Sequence, residues 1–137
     1  MVFSKSFEEL TNYELLEIVK LRQEVFMIEQ QIYEVDIDDE DLKALHLFIK
    51  RGGHIVSYMR LINHKDQLYI GRVVTKKEFR NQGLSTELIE YLKERHEVLA
   101  LSAQVPVINF YKKRGFQVVG KKYKEAGIDH QKMVYIK

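Results

Sequence analysis

Leu68-Tyr69-Ile70-Gly71-Arg72-Val73-Val74-Thr75, followed after a short polar stretch by Arg80-Asn81-Gln82-Gly83-Leu84-Ser85, is the part of the chain that decides the fold. The first run is rich in β-branched and aromatic residues and reads as a strand. From Leu84 the apolar residues Leu84, Leu88, Ile89, Tyr91 and Leu92 recur at helical spacing, so a helix begins there. Val98-Leu99-Ala100-Leu101-Ser102-Ala103 then reads as a buried strand. The unit is strand, glycine turn, helix, strand. A helix start presents unpaired backbone N–H groups and the positive end of the helix dipole, and Gly83 lets the backbone approach a bulky anion closely. The hexapeptide can therefore cradle a phosphate, although standing alone it also reads as an ordinary loop with a glycine bend. It contains neither Gly-Lys-Ser/Thr nor Gly-x-Gly-x-x-Gly, which disfavours nucleoside triphosphate hydrolysis and hydride transfer.

Working outward, Thr11-Asn12-Tyr13-Glu14 has the form of a capping box, and the residues behind it predict a helix over about 11–29. Asp36-Ile37-Asp38-Asp39-Glu40-Asp41 is too charged and unpatterned for an element and reads as an acidic loop. Strands are expected over 45–50 and 55–62, joined at Gly52-Gly53 as an antiparallel hairpin that the 68–75 run extends into a meander. Downstream, Val107 to Lys113 is a short helix with Pro106 near its start and Gly115 closing it. Two strands near 116–122 and 132–136 complete the chain around the loop 125–129. A mixed sheet with helices packed on it follows, and no linker or repeat divides residues 1–137 into further domains.

The chain's 137 residues suit one core, and 45% apolar with 31% charged residues excludes disorder. No Cys is present, so there is no thiolate nucleophile and no Cys-ligated zinc, and the five His are too scattered to suggest a metal site. A reducing cytoplasm fits that absence, and neither a secretory pattern nor a bilayer-spanning stretch is found, so a cytoplasmic chain with no membrane partner is expected. Charge is divided sharply. Residues 1–46 carry 4 basic and 12 acidic residues, net −8, and residues 47–137 carry 18 and 8, net +10. That division suits an anionic partner on one side and a cationic one on the other. The clusters Lys112-Lys113-Arg114 and Lys121-Lys122-Tyr123-Lys124 read as a solvated face or a phosphate site; without a helix-turn-helix, RRM or zinc signature, no nucleic-acid partner is expected.

Arg80 to Ser85, placed between strand and helix, resembles the Arg/Gln-x-x-Gly-x-Gly/Ala turn of the GNAT N-acetyltransferases. Tyr111-Lys112-Lys113-Arg114-Gly115-Phe116 matches that family's second signature, and Leu21 to Gln30, Ala103-Gln104, Asn109-Phe110-Tyr111 and Glu125 to His130 resemble its ElaA-like branch. The resemblance implies an α+β single domain whose mixed, mostly antiparallel sheet is flanked by helices. It implies acetyl-CoA as cosubstrate, with the backbone of Val73, Val74 and Thr75 holding the pantetheine arm. Arg80, Asn81, Gln82, Gly83, Leu84 and Ser85 would bind the pyrophosphate, Asn109 would contribute to the cofactor site, and no metal would be needed. Two departures stand out: Ser85 replaces the usual Gly or Ala, and Gln104 stands where many members have Asn.

Tyr111 is the expected catalytic acid, protonating the departing thiolate. For the base that takes the ammonium proton, Glu29, Glu34, His46 and His130 are candidates, with Glu29 the one selected; His46 also reads as a locally bonded strand histidine and His130 as a solvent-loop residue. The expected activity is direct acetyl transfer to a primary amine on a small molecule or peptide, in a chain that can form a homodimer. The alternatives are a non-catalytic acyl-CoA binding or sensing module and an acyl-homoserine lactone synthase-like enzyme. The Glu34 to Asp41 loop, with Asp36, Asp38, Asp39 and Asp41, is expected to draw in the cationic acceptor.

Overall fold

A computed structural model describes residues 1–137. The strands are β1 (Phe3–Ser6), β2 (Leu45–Arg51), β3 (His54–His64), β4 (Gln67–Thr75), β5 (Val98–Gln104), β6 (Gln117–Glu125) and β7 (Ile128–Ile136). The helices are α1 (Asn12–Arg22), α2 (Leu84–Arg95) and α3 (Ile108–Lys112). All seven strands join one sheet in the order β1-β2-β3-β4-β5-β7-β6, in which only β4 and β5 run parallel. The chain is therefore α+β, with a mostly antiparallel sheet between helices. No helix is long and apolar enough to cross a membrane.

Each face of the sheet buries a helix. On one, Leu84, Leu88, Ile89 and Leu92 of α2 pack with Leu47, Met59, Ile70, Leu99, Leu101 and Met133. Full burial of such side chains is worth about 1.5–3 kcal/mol each, so α2 anchors the central strands. On the other, Ile18 and Leu21 of α1, with Val25, pack with Phe48, Ile55, Tyr58 and Val74. α1 begins as its capping box requires: Thr11 Oγ1 accepts from Glu14 N at 3.0 Å while Glu14 Oε1 accepts from Thr11 N at 2.9 Å.

Three elements differ from expectation. The helix anticipated over 11–29 is α-helical only to Arg22; Gln23–Glu29 is π-helical, with Gln30 N donating to Val25 O at 2.9 Å. Wider turns of this kind are rare and cluster at functional sites. β1 escaped the sequence because Phe-Ser-Lys-Ser lacks a strand's apolar content; pairing with β2, from Phe3 opposite Phe48 to Ser6 opposite Leu45, makes it one. β7 starts at Ile128, so His130, expected in a solvent loop, lies in the sheet and is 7% exposed.

Candidate active site

The parallel pair β4 and β5 meets only at Tyr69 with Ala100 and Ile70 with Leu101. Beyond these, β4 bulges: Tyr58 of β3 opposes Val74 but Arg60 opposes Gly71, so β4 carries one extra residue. Arg72 takes up the bulge with φ of 52°, a left-handed conformation that an arginine adopts only when its surroundings hold it there. Past the bulge, β4 stays paired with β3 at Val74 and Thr75 but has no β5 residue opposite it, and Val73 to Thr75 line a cleft of about 1680 Å³. Main-chain groups without strand partners are what an extended ligand arm needs.

At one end of the cleft stands the glycine turn. Gly83, with φ of 77°, directly precedes α2, and the first backbone bond into the helix is Glu87 N to Gly83 O at 3.0 Å. The N–H groups before Glu87 therefore have no intrahelical partner. A Cβ at Gly83 would meet nothing within 4 Å, so the backbone there borders open space. Arg80, Asn81, Gly83, Leu84 and Ser85 line the cleft, together with Val73, Val74 and Thr75. Gln82 and Asn109 do not: both are exposed and off the cleft wall. For Asn109 the reason is helical geometry, since positions two apart on α3 point about 200° apart and Tyr111 takes the inward direction. The Ser85 hydroxyl, a candidate phosphate donor from sequence, bonds instead to Thr75 Oγ1 at 3.0 Å, which bonds to Ser57 Oγ at 2.9 Å. This hydroxyl chain ties the start of α2 to β4 and β3.

Arg80 donates Nε to Thr75 O at 2.9 Å and both terminal nitrogens to the Glu29 carboxylate at 2.6 and 2.7 Å. The bidentate pair holds the Glu29 carboxyl below its ordinary range and raises the Arg80 guanidinium. A carboxylate so stabilised is a weak proton acceptor, and Glu29 lies off the cleft wall, so the geometry argues against its selection as the base. The carboxylate instead occupies the fork that an incoming phosphate would need.

Tyr111 also lines the cleft, 7% exposed, its ring edge-on to Phe110 at 5.1 Å and Phe116 at 5.8 Å. Burial pushes its phenol up to about 12, so it keeps its proton at neutral pH. Arg114, stacked 3.6 Å from the Phe110 ring and bonded to Phe110 O and Thr86 Oγ1, pins α3 against α2. Of the basic clusters, only Arg114 reaches the cleft; Lys112, Lys113, Lys121, Lys122 and Lys124 are exposed and off its wall.

The acidic loop is less free than its charge suggested. Arg22 reaches Asp41 at 2.7 Å and Asp36 at 3.0 Å, Arg60 reaches Asp38 at 2.7 Å and Asp41 at 3.0 Å, and Arg72 reaches Asp36 at 2.7 Å. Three arginines thus neutralise three of the four aspartates expected to steer the acceptor, leaving Asp39 exposed and free. Through Arg72 the same network fastens the bulge that opens the cleft. Both nitrogens of His46 are also occupied, Nδ1 with the Tyr58 hydroxyl at 2.7 Å and Nε2 with Asp41 O at 2.9 Å, and burial lowers its pKa. Of the four base candidates, only Glu34 and His130 line the cleft. Around His130 stand Gln104, which bonds to Gln30 across the cleft at 3.1 Å, and the bonded hydroxyls of Ser102 and Tyr123. Ser102, Tyr123, Arg60 and Arg72 gave no sequence signal of this role, because strand register and bulges alone bring them to the site.

A family profile described as "Acetyltransferase (GNAT) domain" matches residues 9–137. The protein ElaA of Escherichia coli is 31% identical over 89% of this chain and 87% of its own. Its crystal structure aligns at a TM-score of 0.89 with 27% identity, covering 98% of each chain. That of an acyl-CoA N-acyltransferase from Pseudomonas aeruginosa aligns at 0.90 with 33% identity, covering 98% of this chain and 99% of that one. At 12% identity, showing the fold alone, the structure of an aminoglycoside 6'-N-acetyltransferase complexed with coenzyme A aligns at 0.71, covering 98% of this chain and 96% of that one. The chain belongs to the GNAT family of acetyltransferases.

Proposed function

We propose that this protein transfers an acetyl group from acetyl-CoA directly to a primary amine. The observation that carries the reading is the β5-side edge of Val73–Thr75, which has no strand partner and shares one cleft with an open helix start at Gly83 and the phenol of Tyr111. The fit to acyl-CoA is chemical. Free N–H groups at the start of α2 and the guanidinium of Arg80 suit a pyrophosphate, and the bare strand edge suits the amides of a pantetheine arm. Bound there, acetyl-CoA supplies an activated acyl carbon and a thiolate leaving group. An N–H of the Val73–Thr75 edge polarises the carbonyl, a donor already aimed and paying no reorganisation. Tyr111 lines the same cleft with a hydroxyl that has no protein partner and would be the donor for the leaving sulfur. A phenol near 12 does not readily yield its proton outright to a thiolate whose reference value is about 8.5. Its contribution is a hydrogen bond that strengthens as charge gathers on sulfur.

The experiment is calorimetry with acetyl-CoA on the native protein and on Gly83→Glu, followed by thiol release in the presence of spermidine, glucosamine and a lysine-containing peptide. Native binding with acetylation of at least one amine, and loss of binding in folded Gly83→Glu, is the expected result. Binding without turnover would instead favour an acyl-CoA sensing module, and unchanged affinity in Gly83→Glu would remove the turn from the site.

A further inference from the structure

The geometry points to His130 as the group that takes the acceptor's ammonium proton, with Glu125 as the carboxylate that faces its accepting nitrogen. This rests on the acetyl-transfer reading above. In β7, His130 stands directly between Gln104 of β5 and Tyr123 of β6. The second pairing exists because β6 bulges between Val119 and Tyr123, and Gln131 Nε2 satisfies the carbonyls of Val119 and Gly120 at 3.0 and 2.9 Å within that bulge. His130 Nδ1 lies 2.7 Å from Ile128 O. A carbonyl oxygen only accepts, so Nδ1 must carry the hydrogen, which leaves the lone pair on Nε2. The Glu125 carboxylate sits 3.7 Å from Nε2, near enough to act on charge arriving at that nitrogen and too far to hold the ring shut as a tight pair.

The surroundings support the role. His130 has 9% of its side chain exposed and is part of the cleft wall, so the ring is held by packing yet reaches the cleft. Tyr123 stacks on it at 6.3 Å between ring centroids, with its hydroxyl tied to Ser102. β5 presents the neutral residues Ser102 and Gln104. On β6 and β7, Lys124 and Asp129 neutralise each other at 3.0 Å, and Lys132 turns away to Gln67 at 2.8 Å. Glu125 is therefore the one unpaired charge facing the imidazole. Glu34, the remaining cleft-lining candidate, is an exposed carboxylate with no group to orient it.

In the balanced step, the amine arrives as an ammonium and gives one proton to Nε2, from which it passes to solvent. The freed lone pair forms the C–N bond, the C–S bond breaks with its electron pair leaving on sulfur, and the second nitrogen proton is matched by the one gained by the thiolate beside Tyr111. One amide, one thiol and one released proton result.

The test uses kcat/KM profiles over pH 6–9.5 with whichever of spermidine, glucosamine or the lysine peptide is acetylated fastest, alongside acetyl-CoA calorimetry. His130→Gln should bind acetyl-CoA normally, lose roughly 10²- to 10⁴-fold in kcat/KM at pH 7, and recover about tenfold per pH unit as the amine deprotonates by itself. Glu125→Gln, at the exposed end of β6, should leave the acid limb in place if the limb belongs to the free amine and move it to lower pH if it belongs to the imidazole; the second is expected. In native protein carrying ¹⁵N-histidine, His130 should show the Nδ1–H tautomer. Native turnover and an unshifted profile in His130→Gln, or an Nε2–H tautomer, would overturn this role while leaving acetyl transfer intact. Failure of the native protein to bind acetyl-CoA, or to acetylate any of these amines, would overturn both.

Discussion

Asp41→Asn tests how much the Arg22–Asp36–Asp38–Asp41–Arg60 network contributes to the fold. Asp41 is 7% exposed and accepts from Arg22 Nη1 at 2.7 Å, Arg60 Nη1 at 3.0 Å and the backbone N–H of Asp38 at 3.0 Å. The substitution keeps the shape but removes the charge between two guanidiniums that are 1% and 4% exposed. Breaking a buried ion pair from one side costs about 3–5 kcal/mol, because the partner's charge remains without compensation. Arg22 keeps Asp36 and Arg60 keeps Asp38, so the lower figure of about 3 kcal/mol applies. With a urea m-value of about 2 kcal/mol/M, the unfolding midpoint should fall by about 1.5 M. Asp39→Asn makes the same charge change at an exposed carboxylate with no partner and should stay within about 0.5 kcal/mol of the native protein. The effect also carries a pH signature. Burial alone would raise the Asp41 carboxyl, but the bonds from Arg22, Asp38 and Arg60 outweigh it and bring it below its ordinary value. The stabilisation is then fully present above about pH 4, the unfolded value, and declines as pH falls further. A loss under 1 kcal/mol at neutral pH, or equal losses in the two variants, would refute the reasoning.

Three further outcomes are expected. Tyr111→Phe should keep acetyl-CoA affinity close to native and lower kcat by about 10²-fold, the size of losing one donor to developing charge, read by thiol release; native kcat would remove the phenol from the chemistry. Glu29→Gln should leave kcat within about threefold of native while tightening acetyl-CoA binding, since the Arg80 fork is released; a drop of the size general-base loss brings, about 10²-fold, would restore Glu29 as the base. Burial works against the Glu14 carboxylate, but Thr11 N–H, Lys5 and Lys50 more than offset it and bring its pKa to about 2. Glu14→Gln should therefore cost on the order of 2–3 kcal/mol at pH 6, a difference that fades between pH 4.5 and 2; a constant difference across that range in urea titrations would count against the ionic account.

How far the sequence reached depended on whether a feature is local. The capping box at Thr11, the 3.6-residue period of Leu84 to Leu92 and the glycine before Leu84 each act within one or two turns of chain, and each stands in the structure as read. The family motifs are local too, so the Tyr111 and Gly83 positions could be named in advance. What only the tertiary structure decided are pairings between distant residues: Arg22 with Asp41, Arg80 with Glu29 and Gln104 with Gln30 are 19, 51 and 74 residues apart. Because a charge in sequence carries no partner, the −8 of residues 1–46 looked like an acidic surface, although folding places much of it against Arg22, Arg60 and Arg72. His130 changed from loop residue to cleft wall for the same kind of reason: the register of β7 between β5 and a bulged β6 sets which way it faces, and register is a property of the assembled sheet.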